Sequence, residues 1–175
     1  VLPQTEVQIV DTATGQQVLT TGEQGEIRAR GPQIMSGYRN RPEDTAATLR
    51  DGWLYTGDIG YLDPEGDLYI RDRKKDMAIV GGYNVYPREI DEVLFAHPAV
   101  IEAAAVGVPD DYRGEIIKAC VVTGSDTVTV DELLEYCREN LARYKVPAQL
   151  ELVAELPKTP VGKIDKKALR ETLMA

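Results

Sequence analysis

Residues 70–91 read IRDRKKDMAIVGGYNVYPREID, and this stretch divides the chain. Arg71, Arg73, Lys74 and Lys75 crowd together with Asp72 and Asp76, then the apolar run Met77 to Val80 leads to Gly81-Gly82. A new element opens after Val85-Tyr86-Pro87. Dense charge followed by a glycine pair describes an exposed connector that swivels, not a segment fixed in a core. The sequence therefore reads as three parts: residues 1–72, a hinge at 73–76, and residues 77–175.

Ahead of the connector, Val7 and Ile9, then Ile27 and Ala29, alternate with polar residues as strands do. Thr14-Gly15 and Gly22 to Gly25 supply turns. Pro42 to Leu49 reads as a short helix, with Pro42 suited to its first position and Gly52 to its end. Trp53 to Tyr55, Ile59 to Leu62 and Leu68 to Ile70 read as further strands, the last two joined by the turn Asp63-Pro64-Glu65-Gly66. A piece of about seventy residues buries too little apolar surface to be more than marginal alone. These strands are expected to form part of an antiparallel β-barrel whose remaining members are absent.

Beyond the connector, Pro87 to Ala96 places Ile90, Val93 and Leu94 on one helical face, and His97-Pro98 ends it. The single histidine has no acidic or thiol neighbour in sequence and reads as a helix-end group rather than a catalyst. Val100 to Val108 and Ile116 to Val122 read as strands joined by a loop from Pro109 to Gly114. Thr129-Val130-Asp131-Glu132 opens a helix with a capping box and turns Leu133, Leu134, Cys137 and Leu141 inward. Asp165 caps a last helix running through Leu173. The expected class is α+β: a partial antiparallel barrel, then a small domain with a short sheet and about three helices.

The composition of the 175 residues is that of a soluble globular protein, 43% hydrophobic and 28% charged. A net charge of −9 argues against nonspecific nucleic-acid binding and against an anionic membrane surface. No apolar run is long enough to span a bilayer. Cys120 and Cys137 lack metal-ligand spacing and read as buried thiols in a reducing, cytoplasmic setting. No metal site is expected. Positive charge gathers in two islands, Arg71 to Lys75 and Lys158 to Arg170, which would suit a small polyanion; solvated surface cations are the simpler account of any one of them. The chain opens Val1-Leu2-Pro3 without a methionine, as a fragment would.

Four stretches carry a resemblance: the connector itself, GEIRARGPQIMSGYRNRPEDT at 25–45, Tyr55-Thr56-Gly57-Asp58, and LPKTPVGKID at 156–165. In this order and spacing they resemble the adenylate-forming superfamily, which contains acyl- and aryl-CoA synthetases, peptide-synthetase adenylation domains and luciferases. The likeness extends along essentially the whole chain and implies its C-terminal position in such an enzyme. Members make an acyl-adenylate and pyrophosphate from a carboxylic acid and ATP, and many then pass the acyl group to CoA. Between the steps the C-terminal domain rotates on a residue two places after the motif arginine. The resemblance makes that arginine Arg73, so the implied pivot is Lys75. Asp58 and Arg73 are implied to hold the ribose of ATP or AMP. Lys163 is implied to touch the acyl carboxylate and α-phosphate during adenylation only. After rotation, Gly81, Gly82, Tyr83 and Asn84 would line the thiol channel. Mg2+ is expected with ATP, its ligands lying outside this chain.

The chemistry agrees with those roles. A carboxylate presented at a turn, as Asp58 is read, accepts two hydrogen bonds from vicinal hydroxyls; alternatively it caps that turn. A lysine on a proline- and glycine-shaped mobile loop is a movable point charge for a developing phosphoryl anion. Two departures from the family stand out. No phosphate-cradling glycine-rich loop or acyl pocket is present, so the piece alone is expected to be inactive in acyl activation and to need the missing N-terminal portion. Ala78 stands where a larger aliphatic residue is expected, which would loosen packing just past the pivot. The leading reading is an AMP-forming acyl-CoA synthetase of fatty-acid or aryl-acid type. The alternatives are an adenylation domain that loads a carrier-protein thiol and, from another class, a noncatalytic docking module whose open strand edges invite a partner.

Overall fold

The computed structural model describes residues 3–125 and 127–174. The chain separates into two compact units, 1–75 and 76–175. The class is α+β, with a curled antiparallel sheet in the first unit and a second, small sheet in the other.

In the first unit, β1 (Glu6–Val10) pairs antiparallel with β2 (Gly25–Arg30), and β2 pairs with β4 (Trp53–Leu62). Two further strands flank β4: the two-residue β3 (Leu49–Arg50) and β5 (Leu68–Arg73). Ile9 and Ile27 pair and are buried on one face, and Val10, Glu26 and Ile59 form a buried row on the other. Helix α1 (Pro42–Thr48) starts on proline, as expected. Gly52 does not terminate it. The helix stops at Thr48, and Asp51 (φ 51°) with Gly52 (φ 77°) turns the β3–β4 hairpin instead. Two consecutive positive φ values match the right-handed twist of paired strands, so the glycine serves the hairpin. The expected break between Tyr55 and Ile59 is also absent. Gly57, at φ 71°, bends the backbone without ending the ladder, and β4 runs unbroken for 10 residues. The start of β5 is exposed on both faces and apolar, through Leu68, Tyr69 and Ile70.

The connector is more ordered than its composition implies. β5 extends through Arg73, and a single 3-10 turn, Lys74–Asp76, follows. Ala78–Val80 forms β6 and Tyr83–Val85 forms β7. Gly81 (φ 57°) and Gly82 (φ 86°) are the two-residue turn between them. The glycine pair therefore closes a hairpin and is not a swivel.

The second sheet runs β10 (Gln149–Leu152), β9 (Gly114–Thr123), β6, β7, with β8 (Val100–Asp110) also pairing β9. β10 is parallel to β9 and the other pairs are antiparallel. β8 and β9 reach further than their sequence implies, so only residues 111–113 separate them. Helices α2 (Pro87–Phe95) and α3 (Val130–Asn140) pack on one face through Ile90, Leu94, Leu133 and Cys137. Helix α4 (Lys166–Met174) packs on the other through Leu169, against Ala104, Val106 and Val108. Burial on both faces explains why β8 reads as a nearly continuous apolar run. Thr129 caps α3 by accepting from the Glu132 amide at 3.2 Å.

Ala78 is fully buried and does not loosen its surroundings. A Cβ added at Gly107 would lie 2.5 Å from the Ala78 Cβ. Small residues at both positions allow β6 and β8 to approach, so this packing is close.

Candidate functional site

The first cluster is built by β4 and β5. Asp58 and Arg73 are cross-strand partners, and the Arg73 Nε donates to Asp58 Oδ1 at 2.8 Å. The guanidinium is 58% and the carboxylate 30% exposed, so the pair is open to solvent. Asp58 lies within a strand and not at a turn. Its amide donates to Thr56 Oγ1 at 3.1 Å, and the Thr56 hydroxyl donates to the Ile27 carbonyl at 2.8 Å. Those bonds fix the bend at Gly57 and aim the carboxylate. Tyr55 is held apart from it, its hydroxyl donating to the Gly15 carbonyl at 2.8 Å.

Just past β5, at the start of the 3-10 turn, Lys74 reaches the Glu26 carboxylate at 2.8 Å. Glu26 is 3% exposed, and sequence reasoning missed it. The partners are 48 positions apart, and an acidic residue at the start of an alternating strand gives no sign of being buried. Lys75 is exposed and forms no ion pair among the described residues.

The second cluster is the segment before α4. Lys158 and Ile164 form an antiparallel bridge. Inside it, the Thr159 amide donates to the Lys163 carbonyl at 2.7 Å and the Gly162 amide to the Thr159 carbonyl at 2.8 Å. Gly162, at φ 79°, makes the tight return possible. The expected loop is thus a closed hairpin. Asp165 caps α4, accepting from the Lys167 and Ala168 amides, each at 3.1 Å. Most of the basic island is neutralised. Lys158 pairs with Glu102 at 2.6 Å and Lys166 with Asp91 at 2.6 Å, while Lys167 lies 3.9 Å from Glu171. Lys163 is exposed and has no carboxylate partner among the described residues.

The third cluster surrounds the β6–β7 hairpin. Gly81 donates its amide to the Arg113 carbonyl at 2.9 Å, and Tyr83 stacks on Tyr144 at 4.8 Å. Asn84 is exposed opposite Ile79. A cleft of about 730 Å³ opens here, bounded by Gly81, Tyr83, Tyr112, Arg113, Arg143 and Tyr144. Aromatic faces with guanidinium groups suit a planar, anionic ligand. The tyrosine–arginine pairs at 112–113 and 143–144 were its only trace in the sequence.

Other candidates take structural roles. His97 Nδ1 accepts from the Ala99 amide at 3.3 Å while its ring packs edge-on to Tyr136. Burial pushes the Cys120 thiol up, and the Cys137 thiol up to about 11, away from the reactive thiolate. The described residues contain no group of His, Cys, Asp and Glu able to hold a metal ion, and no helix long and apolar enough to cross a membrane.

Comparison with known proteins gives a consistent set of relatives. The family model of the AMP-binding enzyme C-terminal domain matches residues 89–163. The long-chain-fatty-acid–CoA ligase of Bacillus subtilis (strain 168) is 52% identical over 170 residues, covering 97% of this chain and 30% of the ligase. ATP-bound MatB from Rhodopseudomonas palustris superimposes with a TM-score of 0.89 at 38% identity, over 98% of this chain and 34% of that one. The o-succinylbenzoate CoA synthetase MenE of Bacillus subtilis, in complex with its acyl-adenylate intermediate, gives a TM-score of 0.86 at 41% identity, over 99% and 34%. The chain thus spans about a third of the length of the proteins it matches.

Proposed function

We propose, from the premise that this chain belongs to the adenylate-forming family and spans its C-terminal portion, that it is the hinge-bearing part of an AMP-forming acid–thiol ligase. The observation that carries this reading is Lys163: within an island whose other lysines face carboxylates, it alone presents an exposed, unpaired ammonium from a closed hairpin.

In the first step a substrate carboxylate oxygen bonds to the α-phosphorus of ATP as the bond to the bridging oxygen breaks and pyrophosphate leaves. Negative charge grows on the phosphoryl oxygens. An ammonium brought within ~4 Å in a partly desolvated site stabilises that charge by several kcal/mol. Asp58, steadied by Arg73, accepts from the ribose hydroxyls. Mg2+ would arrive with the nucleotide phosphates and neutralise part of their charge.

In the second step a thiol sulfur attacks the acyl carbon and AMP departs. Rotation at Lys75 withdraws Lys163 and brings up Gly81, Gly82, Tyr83 and Asn84 beside the incoming thiol. The cleft between Tyr83, Tyr144, Arg113 and Arg143 suits the base and phosphates of a nucleotide-bearing thiol, which favours CoA over a carrier protein. The substrate is a fatty or aryl carboxylic acid. The 175-residue piece does not activate acids without the preceding portion of the enzyme, which works in the cytoplasm.

Lys163→Ala in the full-length enzyme tests the division of labour. Adenylate formation, read by ATP–pyrophosphate exchange, should fall by about a hundredfold or more, with thioester formation from supplied adenylate near wild type. Equal loss of both steps would overturn it. Turnover with a carrier protein but not with free CoA would overturn the choice of acceptor.

A further inference from the structure

We propose that Glu26 is a positioning residue for the pivot: its sunken carboxylate holds Lys74 and makes Lys75 the first residue free to turn. The inference rests on the domain rotation proposed above and adds what fixes its axis.

Glu26 and Asp72 are the buried charged residues of the described chain. They are not scattered. Glu26 on β2 faces Ile59 on β4, and Ile59 faces Asp72 on β5, so the three form one row across the sheet. Paired residues share a face, so both carboxylates enter the same interior. Lys74, the first residue of the 3-10 turn after β5, closes on Glu26 at 2.8 Å. Arg73 lies between them and points the other way, to Asp58. The Arg73 amide is held in turn by Asp72 Oδ1 at 2.8 Å.

Residues 72, 73 and 74 are therefore fastened in succession, the first two on opposite faces of β5 and the third at the start of the 3-10 turn. The side-chain fastening stops at Lys75, the middle residue of the 3-10 turn, which is exposed and without an ion pair among the described residues. The next inward anchor is Ala78, fully buried in the second unit.

A buried ion pair is not an economical source of stability, because desolvation offsets most of its attraction and an apolar replacement of like volume does as well. Its use is to specify one arrangement. A rotation spread over several residues would begin upstream of Lys75 and carry Arg73 away from Asp58. With Lys74 held, the dihedral change is confined to the following residue and Arg73 stays in place through both half-reactions.

The test has two arms. In the 175-residue chain, Glu26→Gln and, separately, Lys74→Met should speed amide hydrogen exchange at residues 72–74 by about tenfold or more, with the β2 and β4 amides unchanged. Lys74 is approached from the solvent side, so Lys74→Met answers if Glu26→Gln does not fold. Lys74→Arg, which keeps the charge, should exchange like wild type. In the full-length enzyme, Glu26→Gln should slow thioester formation relative to adenylate formation by about fivefold. A merely structural role would lower the melting temperature and leave that ratio alone. Unchanged exchange in both variants overturns the inference, as does an unchanged ratio of half-reactions while Lys75→Pro still blocks the second step. If Lys75→Pro impairs neither step selectively, the rotation itself is refuted.

Discussion

The two units treat charge in opposite ways. The first sheet carries two carboxylates into its interior and leaves Leu68, Tyr69 and Ile70 in solvent. The second has a core of aliphatic side chains, alanines and two thiols, covered by helices on both faces; none of its described charged residues is fully buried, though the Asp91–Lys166 pair is largely covered. Charge is buried where the chain must be held in one place. It is displayed at Lys163, the group proposed to act on something else. Lys74 and Lys163 are chemically identical, and in the roles proposed for them only their surroundings separate a fastener from a reagent.

The strongest way to break this contrast is to remove the buried acid. Glu26→Ala leaves Lys74 without its partner in a half-buried site and should destabilise the first unit by about 3–5 kcal/mol in urea unfolding. Asp58→Ala removes an exposed pair and should cost within about 1 kcal/mol. Equal losses would mean that burial does not distinguish the two pairs.

Next in size is the second unit's tight packing. Ala78→Leu pushes a larger side chain into the space shared with Gly107 and should cost about 1–3 kcal/mol, measured on the second unit's transition. A gain in stability would restore the expectation that Ala78 leaves room to spare.

That expectation shows where sequence reading ends. The helical faces, the Thr129 and Asp165 caps and the alternating strands are local, set by residues a few positions apart, and each is readable. The Lys163 segment was found for the same reason, within ten consecutive residues, but it was read as a mobile loop where the structure closes a hairpin. What escaped depends on pairing across strands. The approach of Ala78 to Gly107 and the bond from Lys74 to Glu26 join residues far apart in sequence. Asp58 was placed at a turn because the left-handed Gly57 beside it can either end a strand or bend it, and only the neighbouring ladder decides. Gly81-Gly82 was misread likewise: a glycine pair is a swivel when its flanks are unpaired and a hairpin turn when they are strands.

A smaller effect follows from the buried thiols. Cys137 has its folded pKa raised from 9.0 to about 11 by burial. The unfolded chain loses this proton first, so the contribution is complete below pH 9 and declines as pH rises through about 11. The second unit should therefore weaken over that window, and Cys137→Ala should flatten the slope by about one proton. A slope unchanged in the variant would remove Cys137 as its source.

The smallest stability effects sharpen the contrast most. Lys158 and Lys163 lie five positions apart on one hairpin, the first bonded to Glu102 in a partly exposed pair and the second exposed and unpaired. Replacing either by methionine should change urea stability by no more than about 1 kcal/mol, because neither charge is desolvated. On adenylate formation they should part company. Lys163→Met should remove it, since no neighbour can supply an ammonium at the same point. Lys158→Met should leave most of it, because the bridge to Ile164 and the backbone bonds of Thr159 still close the hairpin. If both variants lost adenylation equally, the hairpin's cations would act as a diffuse field, and the assignment of chemistry to a single ammonium would fail.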